Sequence, residues 1–293
     1  MIQTVLKIGG SCLSTGMSIK QLENVQKKWD NCAMVFSAFS GVTDNLYRNY
    51  DQSGKLPYVE ELMESYSLLL QTLGIGDVNS LKNKILQIND FPSLNAFRAY
   101  ISHSSMAEYV SMGERLSASV GYLFLRKFTD AVYLPSHLLG ITMVKGKGEW
   151  LIEVEKSRES VEKSMDKIPE NNMIITTGFF GADRFGQIQT LARNTSDYSA
   201  ASLSAILRSN LVLFKDVDGV YRKDPKKYSQ VSPIEHLNYG DAMQIMRGGA
   251  DIIHPKAIEV AERYGFNIDI RNYISLDRGT IITGMTEEIS RTY

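Results

Sequence analysis

The hydrophobic residues of this chain occur in two patterns: short continuous apolar runs, and longer stretches in which apolar residues recur every three or four positions. Continuous runs bounded by glycine or polar residues are typical of buried strands, and they occur at residues 4–8, 33–36, 131–135, 173–177, 211–214, 267–271 and 280–283. Helical spacing predicts a helix that begins near residue 44 and further helices over residues 19–28, 57–127, 156–167, 198–208, 239–247 and 255–264. Strands that alternate with helices indicate an α/β fold with a mostly parallel sheet covered on both faces.

Three segments interrupt this alternation. Residues 57–127 form a helical insert, whose first part contains several helices joined near residues 74–77 and 90–92. Residues 141–155 contain two strand-like pieces around a glycine turn, and residues 179–191 predict a β-hairpin with glycines in its turn. Because no linker divides the chain cleanly, we expect a single domain.

Polar residues and glycines follow several of the predicted strands. The first strand contains Lys7 and is followed by residues 9–11, which are Gly-Gly-Ser, while residues 37–43 after the second strand are rich in hydroxyl groups. Bare backbone N–H groups can cradle a phosphate, and a lysine adds a point charge. Asp216 and Asp218 follow a later strand and suit a ribose, a base edge or Mg²⁺. Taken alone, each loop is also explained by ordinary turn chemistry.

Charged residues stand beside two of the predicted helices. Arg193, Ser196 and Asp197 precede a helix of small residues, and either Ser196 or Asp197 is expected to cap it. A helix start beside a strand end is a natural anion site, although a capped helix with a surface arginine fits the same residues. Glu114 lies among small residues in another helix, where its carboxylate needs a cationic partner. The alternative is a surface ion pair with Arg115.

Composition narrows the possible partners. The 293 residues are 43% hydrophobic and 22% charged, with a net charge of −1, so nothing indicates nucleic acid or a membrane as partner. Cys12 and Cys32 are too few for a disulfide framework and predict reduced thiols in the cytoplasm. The four histidines are scattered, which disfavours a zinc or iron site. The sequence enters a strand pattern directly, so no signal peptide is expected, and no apolar run approaches the ~20 residues of a membrane span.

Taken together, several short segments resemble the catalytic domain of aspartokinase, within the amino acid kinase family. They are residues 7–11 (KIGGS), 37–43 (SAFSGVT), 113–117 (GERLS), 177–179 with 190–191, 193 with 196–198, 216–221 (DVDGVY), 224–225, 249–250 and 254–255. Their order and spacing hold from residue 4 to about 283. The resemblance implies a three-layer αβα sandwich that transfers the γ-phosphate of ATP to a carboxylate with Mg²⁺. It also implies a substrate-binding lobe to about residue 200 and a nucleotide-binding lobe over about 201–283.

The resemblance implies roles for individual residues. Lys7 and Asp197 would be catalytic: Lys7 holds the transferring phosphate, and Asp197 orients Lys7. Glu114 would face the ammonium of the amino acid and Arg193 its α-carboxylate. The implied amino-acid-binding set is Ser37, Thr43, Glu114, Arg193 and Ser196. The implied nucleotide-binding set is Gly9, Gly10, Ser11, Lys215, Asp216, Tyr221 and Lys226. No side chain is assigned to a metal.

Three positions depart from the family pattern. Asn194-Thr195 replaces the usual Gly-Gly, so the substrate pocket is expected to differ in shape. Asp251 replaces a lysine near the nucleotide phosphates, which is expected to weaken ATP binding or the transition state. Lys215 replaces a threonine, and our hypothesis is that it supplies part of the missing positive charge.

Three functions therefore remain open. The leading hypothesis is an aspartate kinase of amino-acid biosynthesis that makes 4-phospho-L-aspartate. The alternatives are a kinase of the same fold for another amino acid, suggested by Asn194-Thr195, and a non-catalytic nucleotide-binding homologue, suggested by Asp251. Only ten residues follow Thr283, so we expect no regulatory ACT domains and no feedback inhibition by lysine or threonine. Homo-oligomerisation is possible but not predicted.

Overall fold

The computed structural model describes residues 2–13, 15–50, 55–170, 172–222, 231–250 and 252–284. Its strands are β1 (Thr4–Ile8), β2 (Cys32–Phe36), β3 (Ala131–Tyr133), β4 (Met143–Gly146), β5 (Glu149–Ile152), β6 (Met173–Thr177), β7 (Phe180–Ala182), β8 (Ile188–Thr190), β9 (Asn210–Lys215), β10 (His236–Asn238), β11 (Ile268–Asn272) and β12 (Arg278–Thr283). Its helices are α1 (Gly16–Lys28), α2 (Val42–Tyr50), α3 (Lys55–Thr72), α4 (Val78–Ile88), α5 (Leu94–His103), α6 (Met106–Leu125), α7 (Ser136–Leu139), α8 (Val154–Met165), α9 (Ser196–Leu207), α10 (Tyr239–Arg247) and α11 (Pro255–Tyr264). A short 3₁₀ turn covers Gly10–Leu13.

Eight strands form the central sheet, in the order β10-β12-β11-β9-β1-β2-β6-β3. All neighbouring pairs are parallel except β11 with β12, which confirms the predicted α/β class and mostly parallel sheet. Every residue of β2 and β6 is buried, because helices cover both faces of these central strands. The predicted hairpins are also present, as β4 with β5 and β7 with β8.

Residues 57–127, predicted as a helical insert, contain α3, α4 and α5 followed by the long helix α6. The joints lie where glycine and proline predicted them, after Thr72 and after Ile88. Helix α3 packs against α4, α5 and α6, so the insert extends the core rather than forming a separate body. The proposed division into two lobes near residue 200 stays a prediction.

Helix α6 packs closely against β2 and the loop that follows it. A Cβ built on Gly121 would lie 2.3 Å from the Phe36 ring, and one on Gly113 would lie 3.0 Å from Ala38 and Leu46. The Ser117 hydroxyl donates to the backbone carbonyl of Ser37 at 2.7 Å. The small residues of α6 therefore let the helix reach the loop that follows β2.

Two elements are absent from the sequence prediction. Strand β10 has only three residues and lies at the edge of the sheet, and α7 is a single turn. Such short segments have too few positions to show a hydrophobic period. None of the helices in the described ranges combines the length and the apolar character needed to cross a membrane.

Candidate active site

The strands β9, β1, β2 and β6 are adjacent and parallel, so their carboxyl ends lie at one edge of the sheet. The loops after these strands enclose a cleft of about 360 Å³. Ten of the predicted site residues line it: Lys7, Gly10, Ser11, Ser37, Thr43, Glu114, Arg193, Ser196, Asp197 and Lys215. Residues that lie far apart in the sequence thus share one cleft because the strand order brings their loops together.

Two lysines hold the carboxylate of Asp197 from either side. The Lys7 Nζ lies 3.1 Å from Asp197 Oδ1, and the Lys215 Nζ lies 2.8 Å from Asp197 Oδ2. The backbone N–H of His254 also donates to Oδ2, at 3.3 Å. Lys7 and Asp197 are almost fully buried, with 7% and 5% of their surface exposed. The cluster carries two positive charges and one negative charge, so it is suited to a further anion.

These contacts set the protonation states of the cluster. Burial alone would raise the pKa of Asp197, but Lys215 and Lys7 together hold it well below its usual range. Burial lowers the pKa of Lys7, and Asp197 opposes that effect while the positive charge of Lys215 adds to it. Asp197 is therefore ionised at neutral pH, and its charge opposes the loss of the Lys7 proton that burial favours.

The structure corrects the prediction that Ser196 or Asp197 caps helix α9. Neither Ser196 nor Asp197 caps helix α9, because both lie inside its first turn and the N-cap residue is Thr195. Thr195 is buried, and its hydroxyl donates to the backbone carbonyl of Ala192 instead of accepting from the helix. The carboxylate of Asp197 is directed to the two lysines, so it serves the cleft rather than the helix end.

Neighbouring atoms lie so close to the two glycines after β1 that a larger residue would be crowded there. A Cβ on Gly10 would lie 2.4 Å from the backbone oxygen of Ala38, and a Cβ on Gly9 would lie 3.2 Å from the Lys7 ammonium. Gly10 lines the cleft, whereas Gly9 does not. These glycines let the loop after β1 pack against the loop after β2 and leave space for the lysine.

Glu114 is the second buried carboxylate of the cleft. Only 2% of its surface is exposed; Oε1 accepts from the Ala38 backbone N–H at 3.3 Å, and Oε2 has no hydrogen-bond partner within the described residues. Burial raises the pKa of Glu114 to about 8, although the backbone bond opposes that shift. The alternative of a surface pair with Arg115 is wrong, because Glu114 is buried and the Arg115 guanidinium instead donates to Asn89.

Ser37, like Glu114, has a buried oxygen that lacks a hydrogen-bond partner among the described residues. It is buried, it lines the cleft, and its hydroxyl has no hydrogen-bond partner among the described residues. Buried polar atoms in native proteins normally have partners, so atoms without one that face a cavity indicate where a ligand would bind. Ser37 and Glu114 together mark the end of the cleft where a polar ligand with a donor group would fit.

Arg193 lies at the opening of the cleft. Its guanidinium forms an ion pair with Asp44 and lies 5.7 Å from the centre of the Tyr47 ring. The side chains of Arg193 and Asp44 are 56% and 48% exposed, so this pair is in contact with solvent. Exposed pairs contribute little to stability, and Arg193 can therefore exchange Asp44 for another carboxylate at small cost.

The segment between Arg193 and α9 explains one departure from the family pattern. Asn194 has φ +63°, a left-handed conformation that glycine adopts most readily and asparagine tolerates. Asn194 lines the cleft, whereas Thr195 is buried behind it. The substitution therefore places one new side chain in the cleft.

Some predicted nucleotide-binding residues do not line this cleft. Asp216 is exposed just beyond β9, and the Tyr221 hydroxyl lies 3.4 Å from Asp218 Oδ2 on the same loop. Lys226, the Asp224-Pro225 pair and Asp251 lie outside the described residues. The roles predicted for these residues, and for the ten that do line the cleft, stay predictions.

Three further lining residues, to which the sequence assigned no role, contribute to the geometry of the site. Asp44 pairs with Arg193, His254 contributes its backbone N–H to Asp197, and Phe179 has φ +70°. Such a backbone is strained for a bulky residue, and strained residues concentrate at functional sites. Asp44 follows Thr43 directly, so its position beside a predicted ligand was the one available signal. The other two features depend on tertiary geometry.

Proteins of similar sequence identify the family of this chain. The family model of the amino acid kinase family matches residues 3–272. This chain belongs to that family. It is 30% identical to bifunctional aspartokinase/homoserine dehydrogenase 1 of Arabidopsis thaliana, over 95% of this chain and 32% of that protein. It is 27% identical to an aspartokinase of Geobacillus stearothermophilus, over 79% of this chain and 54% of that protein.

Solved structures show the same fold. The structure of Escherichia coli aspartokinase III in complex with aspartate and ADP superposes with a TM-score of 0.82, at 21% identity, over 98% of this chain and 65% of that one. The aspartate kinase of Clostridium acetobutylicum gives a TM-score of 0.80. This amino acid kinase domain spans about a third of the length of several bifunctional curated relatives.

Proposed function

We propose that this amino acid kinase domain is an aspartate kinase, which transfers the γ-phosphate of ATP to the β-carboxylate of L-aspartate and forms 4-phospho-L-aspartate. One observation carries the proposal. A single cleft contains a buried carboxylate with one unpartnered oxygen, an exchangeable arginine and a lysine pair with net positive charge. These groups match the ammonium, the α-carboxylate and the phosphate of an amino acid kinase reaction.

Recognition of the amino acid follows from charge. Glu114 Oε2 would accept the substrate ammonium, and the Ser37 hydroxyl lies in the same cleft to complete its contacts. Arg193 would release Asp44 and take the α-carboxylate in its place, in a bidentate pair that fixes the substrate's orientation. Thr43 and Ser196 line the cleft beside these groups and would supply further hydroxyl contacts.

The transfer step needs charge compensation more than acid–base catalysis. The nucleophile is an ionised carboxylate, so no general base is required. Two unit charges ~4 Å apart repel by about 4 kcal/mol at an effective dielectric constant near 20. Lys7 and Lys215 would offset this repulsion at the γ-phosphate, while Asp197 keeps both ammonium groups in place.

The chemistry also implies Mg²⁺, carried on the ATP phosphates. Among the described residues, no three His, Cys, Asp or Glu side chains are grouped to hold a metal ion. This arrangement fits Mg²⁺ that is bound mainly by phosphate oxygens and water. When bound, the ion would reduce the negative charge of the phosphates. Both Asp197 oxygens contact lysines, so Asp197 acts through those lysines.

The proposal extends to the compartment and the partners of the reaction. The buried thiols of Cys12 and Cys32 form no disulfide, which supports a reducing compartment such as the cytoplasm. The proposed partners are therefore the amino acid and ATP, with assembly into a homo-oligomer possible.

The decisive experiment offers purified protein MgATP and a panel of amino acids, with hydroxylamine to trap the acyl phosphate. A signal with aspartate alone supports the proposal. A signal with another acid selects a kinase of the same fold for a different substrate, which the Asn194 side chain in the cleft favours. Nucleotide binding without ADP release selects the non-catalytic homologue. In an active protein, Arg193→Ala should raise KM for the amino acid far more than KM for ATP.

A further inference from the structure

A second cavity, of about 880 Å³, lies beside Arg115, the residue that follows Glu114 on α6. Glu114 lines the catalytic cleft, whereas Arg115 lines this second cavity, because successive helix residues face different directions. The remaining walls come from the end of α4, the insert helix α5, and strands β5 and β8. None of the residues assigned to the proposed kinase reaction lines it.

The cavity contains a buried cation, Arg115, that forms no ion pair within the described residues. Arg115 is 5% exposed, and its side chain forms no ion pair with any carboxylate of the described residues. The guanidinium donates to Asn89 Oδ1 at 3.2 Å and to the Asn89 backbone carbonyl at 2.8 Å. The Tyr100 and Tyr133 hydroxyls also interact with the guanidinium, and like Asn89 they are neutral partners. A buried charge with only neutral partners is costly, and an anion would relieve that cost.

The walls around Arg115 are largely aromatic. The guanidinium carbon lies 5.2 Å from the centre of the Phe91 ring and 5.9 Å from that of Tyr100. His137 and Trp150 also line the cavity, and His137 Nδ1 is buried without a hydrogen-bond partner among the described residues. Burial, with the nearby Arg115 charge, lowers the pKa of His137 to about 4, so its ring is neutral at pH 7. The Nδ1 atom of His137 can therefore form one hydrogen bond with a ligand.

Two carboxylates lie at the same cavity and limit what can enter. Glu108 is occupied by the capping box of α6, where Oε2 accepts from the Ser105 backbone N–H at 2.8 Å. Asp90 is exposed. Their charges disfavour a polyanion such as a nucleotide. A ligand with one negative charge, directed to Arg115 and away from them, fits best.

We propose that this second cavity binds a small organic monocarboxylate, whose carboxylate pairs with Arg115 and whose apolar or aromatic body packs against Phe91, Tyr100 and Trp150. The site is separate from the amino-acid subsite of the catalytic cleft. It is nevertheless connected to that cleft: Thr190 lines the second cavity and interacts with the Tyr47 hydroxyl, and the Tyr47 ring lies beside Arg193.

Tryptophan fluorescence gives a direct test that needs no kinase activity. The chain has two tryptophans, and Trp29 packs against Phe214, away from the cavity. A Trp29→Phe parent therefore leaves Trp150 as the only reporter. Phenylacetate should change its emission in a saturable manner. Phenylacetamide, which has the same shape without the charge, should bind at least about tenfold more weakly, because a charged hydrogen bond is lost.

Two variants locate the binding on that parent. Arg115→Gln should weaken phenylacetate binding by about tenfold or more, because it removes the charge. Since Arg115 is buried and its loss can disturb folding, Gln187→Glu provides the second variant. Gln187 is exposed on the cavity wall, so a carboxylate there should weaken binding without disturbing the core. Gln71→Glu places the same charge on exposed α3, outside the cavity, as a matched control.

Distinct outcomes would overturn the proposal. Absence of a saturable change up to about 10 mM phenylacetate, where even a weak site fills, would exclude the site. Equal binding of phenylacetate and phenylacetamide would exclude the pairing with Arg115. Equal effects of Gln187→Glu and Gln71→Glu would place the binding elsewhere. A protein that binds phenylacetate as expected but phosphorylates no amino acid would overturn the proposed function alone.

Discussion

Replacement of Glu114 by glutamine should stabilise the fold while it damages the active site. The carboxyl group has an ordinary pKa of 4.5 and a folded pKa of about 8, because burial disfavours its charge. Between these values the folded protein keeps a proton that the unfolded chain loses. The wild-type free energy of unfolding should therefore fall with rising pH across this window, by about 1.4 kcal/mol per pH unit from this group.

Glutamine keeps the shape of the side chain and removes the ionisation. The difference in unfolding free energy, Glu114→Gln minus wild type, should increase from about pH 5 to pH 8 and then level off. The whole rise should be on the order of 4 kcal/mol. Other titrating groups are common to both proteins and cancel in the difference. Urea unfolding at several pH values measures it.

The same unfolding assay provides a control variant and a result that would refute the burial argument for Glu114. Glu61 is exposed on α3, and Glu61→Gln makes the same chemical change outside the cleft as a matched control. If the Glu114→Gln difference does not change with pH, or changes no more than the Glu61→Gln difference, then the carboxyl is not held neutral by burial, and the reasoning is wrong. A fall with pH would mean that a cation of the protein stabilises the ionised form.

The same substitution should weaken binding of the amino acid substrate. Loss of one partner of a buried charge pair costs about 2 to 5 kcal/mol, so KM for the amino acid should rise by about 30-fold or more while KM for ATP changes little. In wild type, only the ionised carboxylate pairs with the ammonium. KM should therefore fall as pH rises from 6 to 8, and Glu114→Gln should lose that dependence.

Three further variants test other parts of the cleft. Lys215→Ala should lower kcat and raise KM for ATP, since one of two cations at the phosphate site is lost; unchanged steady-state kinetics would refute that role. Asp44→Asn should lower KM for the amino acid severalfold, because it removes the carboxylate that competes for Arg193, and an unchanged or higher KM would show that the pair is not a competitor. Gly10→Ala should destabilise the fold by about 1 to 3 kcal/mol in urea unfolding, because its Cβ would collide with the Ala38 backbone oxygen, and full stability would contradict this close approach.

The sequence predicts the sheet well because its central strands are buried on both faces. Strands β1 and β6 were predicted with the bounds that the structure has, and helices α10 and α11 likewise. Continuous apolar runs leave little ambiguity when a strand has no solvent-facing side. The edge strand β10 has three residues and one partner, and it was missed because a short edge strand needs no such run.

Site residues could be predicted where they lie at the end of a strand that the sequence itself indicates. Lys7 and Ser37 follow or end buried strands, and the parallel arrangement then places them at one edge of the sheet. Pairing partners were not predictable. The Asp44–Arg193 pair forms only when α2 approaches the segment before α9. The Arg115–Asn89 contact forms only when the end of α4 packs near α6. No local pattern records such a contact.

The strand order also explains why Lys215 can occupy a position that the resemblance associates with threonine. Strand β9 is the neighbour of β1 on the side away from β2, and Lys7 lies beside Leu213 in their shared register. Two residues further, Lys215 reaches the carboxylate that Lys7 also contacts. A second cation beside the buried Lys7 would repel it, but Asp197 lies between the two lysines and contacts both. The position of Asp197 at the start of α9 is therefore what allows a lysine at the end of β9, and it concentrates net positive charge where the proposed phosphate would lie.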